Sequence, residues 1–161
     1  MYCHDLGSIC LSDSTQAGQL ELLSPQTAAE FEHYYFFRWQ QLRQPLACPQ
    51  GSERDDLEHQ AQHCMARING RIIGVGRIHQ DSDVAAQIRY VAVASDWRAR
   101  GVGRAILDQL ICHAEQYEVQ YCWCNARDEA VIFYQRYGFK ASAAVQTTLD
   151  IPHTRMEYYM D

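Results

Sequence analysis

The chain has 161 residues and a mass of 18.6 kDa, enough for one domain with a sizeable core. Its hydrophobic content of 47% argues against a disordered chain, and its formal net charge of −6 argues against broad nucleic-acid binding. No run of about 18 apolar residues is present, so no membrane span is expected, and the start lacks the basic-then-apolar pattern of a signal peptide. Seven cysteines with no Cys-x-x-Cys pair read as thiols in a reducing, cytoplasmic compartment rather than as disulfides or a zinc site, so no metal is expected.

Residues 1–18 are polar and aperiodic and read as a flexible arm ahead of a single domain over 19–161. A short first strand is expected at 20–23. Ser24-Pro25 suits an N-cap followed by a first helical residue. Ala28, Phe31, Tyr35, Trp39 and Leu42 recur at helical spacing, which predicts a helix over 25–43 that Pro45 ends. Pro49, Gly51 and the string Glu53-Arg54-Asp55-Asp56 mark a loop leading into a short second helix.

Two strands, 62–68 and 71–78, flank Asn69-Gly70, the residue pair that favours a tight hairpin turn because both central positions need positive φ. A second turn at 80–83 leads to a strand over 85–93. Past Gly101, the residues Ile106, Leu107, Leu110, Ile111 and Ala114 mark one face of a helix that runs to about Gln116. A strand is predicted at 119–125. Asp128 can cap a short helix to Arg136, with Gly138 as its left-handed stop. Segments 139–148 and 153–160 read as a closing strand pair. The strand–helix–strand unit over 85–125 implies a parallel crossover inside a mostly antiparallel sheet, a mixed α/β domain.

The segment richest in chemistry is Arg98-Ala99-Arg100-Gly101-Val102-Gly103-Arg104, between an apolar strand and a helix. A helix start leaves backbone N–H groups unpaired and carries partial positive charge, so it binds phosphates. Gly101 and Gly103 let the main chain approach closely, and Arg98, Arg100 and Arg104 add charge. A glycine turn that merely starts a helix is the plainer alternative. The P-loop pattern fails at Gly103-Arg104-Ala105, and the dinucleotide pattern fails at Ile106. Gly74-Val75-Gly76 lies inside a strand and reads as close packing or a bulge.

Together with Phe133-Tyr134-x-x-Tyr137-Gly138-Phe139 further on, the Arg98-x-x-Gly101-x-Gly103 element resembles the GCN5-related N-acetyltransferase (GNAT) superfamily, over about residues 19–160. That resemblance implies the GNAT fold: strand, two helices, three strands, helix, strand, helix and two closing strands, with the fourth and fifth strands splayed. It implies acetyl-CoA as co-substrate, its diphosphate on residues 98–104. The pantetheine would lie against the backbone of Val91, Ala92 and Val93, with Asn125 a further contact. A main-chain N–H near Val93 would stabilise the oxyanion. Tyr134 would protonate the departing thiolate, which a phenol of pKa about 10 can do for a thiolate of about 8.5 still forming; a core aromatic is the plainer alternative.

The general base departs from the pattern, because Gln87 stands where histone-type members carry Glu. An amide can orient water but cannot accept a proton at neutral pH, which leaves His79, Asp83 and His153 as candidates by placement. A narrower resemblance, carried by Phe37-Arg38-Trp39, Leu42-Arg43-Gln44-Pro45-Leu46 and Gly51-Ser52-Glu53-Arg54-Asp55, is to the acetyltransferase portion of bacterial proteins that join this fold to a hot-dog thioesterase-like domain. With the chain ending at Asp161, that second domain is expected to be absent. The first helix and its loop border the acceptor cleft in this fold, making Arg38, Arg43, Glu53, Arg54 and His63 acceptor-side candidates; a salt-bridge network pinning the loop is the alternative. The expected activity is acetyl transfer by direct attack on the thioester, to a primary amine carried by a small molecule or a protein. The alternatives are a coenzyme A-binding sensor without turnover and acyl transfer to an acyl-carrier-type acceptor. A monomer or homodimer is expected.

Overall fold

The computed structural model describes residues 18–146 and 150–161, with the backbone of 9–10. Its strands are β1 (Ile9–Cys10), β2 (Gln19–Leu23), β3 (Gln62–Ile68), β4 (Arg71–Gln80), β5 (Ala85–Val93), β6 (Tyr121–Arg127), β7 (Lys140–Val145) and β8 (His153–Tyr159). Its α-helices are α1 (Ala28–Leu42), α2 (Val102–Gln116) and α3 (Val131–Tyr137). The strands from β2 to β8 form one mixed sheet in the order β2-β3-β4-β5-β6-β8-β7, and β1 pairs with the outer edge of β2. All pairings are antiparallel except β5 with β6. The mixed α/β class and the splay implied by the resemblance are both present. The expected arm lies, apart from β1 and Gly18, outside the described residues.

Two helix expectations are corrected. The first helix starts at Ala28 rather than at Pro25, because Thr27 and Glu30 close a capping box: the Thr27 hydroxyl accepts the Glu30 N–H at 3.2 Å, and the Glu30 carboxylate accepts the N–H groups of Gln26 and Thr27 at 2.6 and 3.2 Å. The expected second helix is one 3-10 turn, Glu58–Gln60; the Glu58 carboxylate is drawn into ion pairs with Arg38 and Arg77 instead. The expectation of free thiols also fails at one position, since Cys112 is disulfide-bonded, while Cys48, Cys64, Cys122 and Cys124 are free.

The core lies on both sides of the central strands. On one face, Ile106, Leu107, Leu110 and Ala114 of α2 are fully buried. A Cβ on Gly74 or Gly76 would sit 2.7 Å from Ile106, so these glycines set how closely α2 rests on the sheet. On the other face, α1 lays Tyr34, Phe37 and Arg38 over β4 and β5.

The β4–β5 ladder slips between Val75 and Arg77, where β5 carries an extra residue around Tyr90 at φ +57°. Beyond that bulge β5 leaves β6: the two pair only over 85–87 and 121–123, so residues 89–93 and 125–127 border an open split.

Candidate active site

One side of the split is made of main chain. The N–H of Ala94 donates to Ile73 in β4 at 2.8 Å. Successive N–H groups of an extended strand alternate in direction, so the N–H of Val93 points the other way, into the split. The Val93 carbonyl accepts Arg98 Nε at 3.3 Å, which ties the strand end to the loop that follows. That loop takes left-handed conformations at Ala99 (φ +57°) and Gly101 (φ +87°), Gly101 standing directly before α2. Its N–H groups therefore open toward solvent beside Arg98, Arg100 and Arg104, all exposed. Val102 is buried at the first turn. A Cβ on Gly103 would lie 3.0 Å from the Phe133 ring, so the helix start is held against α3 at a distance only glycine allows.

Tyr134 stands on α3, buried between Phe133 and Phe139, whose ring centroids are 5.1 and 5.3 Å away. Its hydroxyl neighbours the Cys124 thiol of β6. Burial, then the neighbouring thiol, holds its pKa well above the usual phenol value, so it is a proton donor at neutral pH. Asn125, the next residue of β6, has a buried Oδ1 with no hydrogen-bond partner among the described residues. An orphaned acceptor, an inward N–H and a helix start that a Cβ would crowd are features that suit an extended amide chain ending in a diphosphate.

The other side, where the acceptor-side candidates lie, is made of side chains. Arg77, centred in the apolar strand β4, is fully buried and donates to Asp55 at 2.6 and 3.0 Å and to Glu58 at 2.8 Å. Asp55 also accepts Arg89 at 2.7 Å and the Tyr90 hydroxyl at 3.3 Å. Arg38, fully buried, reaches Glu58 at 2.8 Å, the Tyr34 hydroxyl at 2.8 Å and the Glu53 carbonyl at 3.2 Å. The guanidinium groups of Arg38, Arg77 and Arg89 all lie within 5.0 Å of the Tyr90 ring. These contacts, above all the hydrogen bonds from Arg77, hold the Asp55 carboxyl well below the usual carboxylate range despite its partial burial.

The five acceptor-side candidates divide accordingly. Arg38 belongs to this buried network. Glu53 is 2% exposed and accepts the Gly51 N–H at 2.7 Å. His63 is 6% exposed; its Nε2–H donates to the Glu58 carbonyl at 2.9 Å, and burial lowers its pKa. These three pin the loop over 43–61. Arg54 lies exposed over the Tyr35 ring at 4.5 Å, and Arg43 is half-buried beside Tyr90. Sequence reasoning missed Arg77, Glu58 and Arg127; a lone arginine inside the apolar run Ile72 to Ile78 is the signal that was there to be read.

Gln87 is half-buried, opposite His79 of β4 and Trp123 of β6. His79 is buried with Arg77 Nη2 3.5 Å from its Nδ1. A guanidinium only donates, so that nitrogen holds the lone pair, and a second proton would arrive beside a fixed cation. Burial and Arg77 both lower its pKa, so His79 is badly placed as a base. Asp83 is exposed in a turn. His153 donates Nδ1–H to the Ile151 carbonyl at 2.6 Å, which puts its lone pair on Nε2.

Among the described residues no helix is long and apolar enough to cross a membrane, and no group of His, Cys, Asp and Glu could hold a metal ion.

Comparison with known proteins gives a consistent result. The family model for an acetyltransferase (GNAT) domain matches residues 21–160. An uncharacterized N-acetyltransferase of Bacillus subtilis (strain 168), YjcF, is 27% identical over 109 residues, 67% of this chain and 77% of that protein. An acyl-CoA N-acyltransferase from Pseudomonas aeruginosa superposes with a TM-score of 0.69 at 20% identity, over 88% of this chain and 99% of that one. An aminoglycoside 6'-N-acetyltransferase complexed with coenzyme A superposes with a TM-score of 0.71 at 11% identity, over 87% and 96%.

Proposed function

Since the chain belongs to the GNAT acetyltransferase family, we propose that it transfers an acetyl group from acetyl-CoA to a primary amine by direct attack on the thioester. Two observations support this reading: the N–H of Val93 on β5 points into the split, and the phenol of Tyr134 on α3, beside Cys124 of β6, stays protonated. Acetyl-CoA supplies an activated acyl group. The loop at 98–104 would hold its diphosphate, and the edges of β5 and β6, with Asn125, its amide chain. The Val93 N–H would stabilise the charge developing on the carbonyl oxygen. The Tyr134 hydroxyl would donate its proton to the departing sulfur. Gln87 can orient water but not take a proton, so the acceptor's proton leaves through solvent on the α1 side. Holding both substrates in the split would supply much of the remaining rate.

Calorimetry with acetyl-CoA and thiol release across a panel of amines test this. Binding with amine-dependent release is expected. Binding with no release for any amine or acyl carrier would favour the sensor; release only with an acyl carrier would favour the carrier-type acceptor that the narrower resemblance to hot-dog-fused proteins suggests. No binding of acetyl-CoA or coenzyme A would overturn all three.

A further inference from the structure

On the acceptor side, Arg38, Arg77, Arg89 and Arg155 each pair with an aspartate or glutamate. Arg43 and Arg127 do not. Instead, both donate to the same neutral oxygen, the Leu42 carbonyl at the end of α1: Arg43 Nη1 at 3.3 Å and Arg127 Nη2 at 3.0 Å. Among the described residues, the one other hydrogen bond of either side chain runs from Arg43 Nε to the Ser52 carbonyl at 3.0 Å. One carbonyl cannot neutralise two guanidinium groups, and both side chains are half-buried. Burial and the nearby charges of Arg127 and Arg89 act together to lower the Arg43 pKa. This pair of cations faces no carboxylate among the described residues, and its position is specific. Arg127 ends β6 on the open part of the split, two residues past Asn125 and on the same face. Arg43 comes from the opposite wall, beside the Tyr90 ring at the β5 bulge.

We propose that the acceptor is an amine that also carries an oxyanion, a carboxylate or a phosphate, and that Arg43 and Arg127 bind that oxyanion at the mouth of the split. Two planar guanidinium groups suit such a group because each can donate two parallel hydrogen bonds to it. A strand advances about 3.3 Å per residue, so Arg127 lies about 7 Å beyond Asn125, a separation that a short linker between amine and oxyanion spans. The inference rests on the acetyltransferase reading and narrows its substrate class.

The test measures thiol release from acetyl-CoA with matched acceptors: phosphoethanolamine against ethanolamine, and 4-aminobutyrate against butylamine. The anionic member of each pair is expected to be preferred tenfold or more. Arg127→Met should raise its KM by tenfold or more and leave the dissociation constant of acetyl-CoA within twofold. Arg43→Gln should do the same, which guards against misfolding of either variant. Equal or better use of the neutral amines would overturn the inference while leaving the acetyltransferase reading standing. A parallel loss of acetyl-CoA affinity would also overturn it, assigning the arginines to the cofactor's phosphates. Should no amine release thiol, thermal melting of the coenzyme A-loaded protein with inorganic phosphate decides: a rise in Tm that Arg127→Met abolishes supports the oxyanion site, and no rise overturns it.

Discussion

The two walls of the split are built from different materials. The donor wall is main chain: an inward N–H at Val93, a left-handed turn at Gly101, and a helix start that glycine holds against Phe133. The acceptor wall is long side chains, with Arg38, Arg77 and Arg89 meeting Asp55 and Glu58 across chain separations of 19 to 34 residues. On the proposed reading, backbone geometry serves an invariant ligand, since every molecule of a cofactor is alike. Side chains can be exchanged one at a time, and they stand where substrates must be told apart.

The largest expected effect tests whether the walls are separable. Arg77→Met leaves carboxylates of the loop without their buried partner and should cost roughly 3 kcal/mol in chemical denaturation. Under native conditions acceptor use should fall while acetyl-CoA affinity stays; equal loss of both would mean the walls are one unit. Next, Tyr134→Phe should lower kcat about a hundredfold with little change in acetyl-CoA binding, as expected for a proton donor. Loss of binding together with turnover would make Tyr134 part of the wall's packing.

Smaller effects come from local geometry. Gly101→Ala forces a side chain into the left-handed region at a cost of about 1–2 kcal/mol, and this should appear mainly as weaker acetyl-CoA binding by calorimetry. Thr27→Ala removes the α1 cap and should cost about 1 kcal/mol of stability with no change in either substrate's KM. Acid should act on the acceptor wall first. The folded protein depresses the Asp55 pKa, so its stabilising contribution is complete above the unfolded carboxylate value of about 3.9 and is lost as pH falls below it. Urea midpoints should therefore drop for the wild type as pH falls below about 4, and Asp55→Asn should flatten that slope.

This division also explains what the sequence disclosed. The three strands from residue 62 to 93, their Asn69-Gly70 turn and the helix after Gly101 follow from local periodicity and turn chemistry. So does the glycine turn before that helix, because glycine spacing is a local signal. Thr27 and Glu30 were equally local and outweighed the more conspicuous Ser24-Pro25. The acceptor wall was not legible, because nothing near Arg77 in the chain announces Asp55 or Glu58 as partners. Its arginines therefore looked alike, and only their contacts separate the paired Arg38 from the unneutralised Arg43.

The extra residue at Tyr90 changes how β5 must be counted. Before it, odd-numbered side chains such as Gln87 face α1; after it, the Val93 side chain faces α2, within 3.6 Å of where a Gly103 Cβ would lie. In an unbroken strand two residues six apart would share one side. Here the parity inverts between them, so a single strand turns its first half toward α1 and its second toward α2.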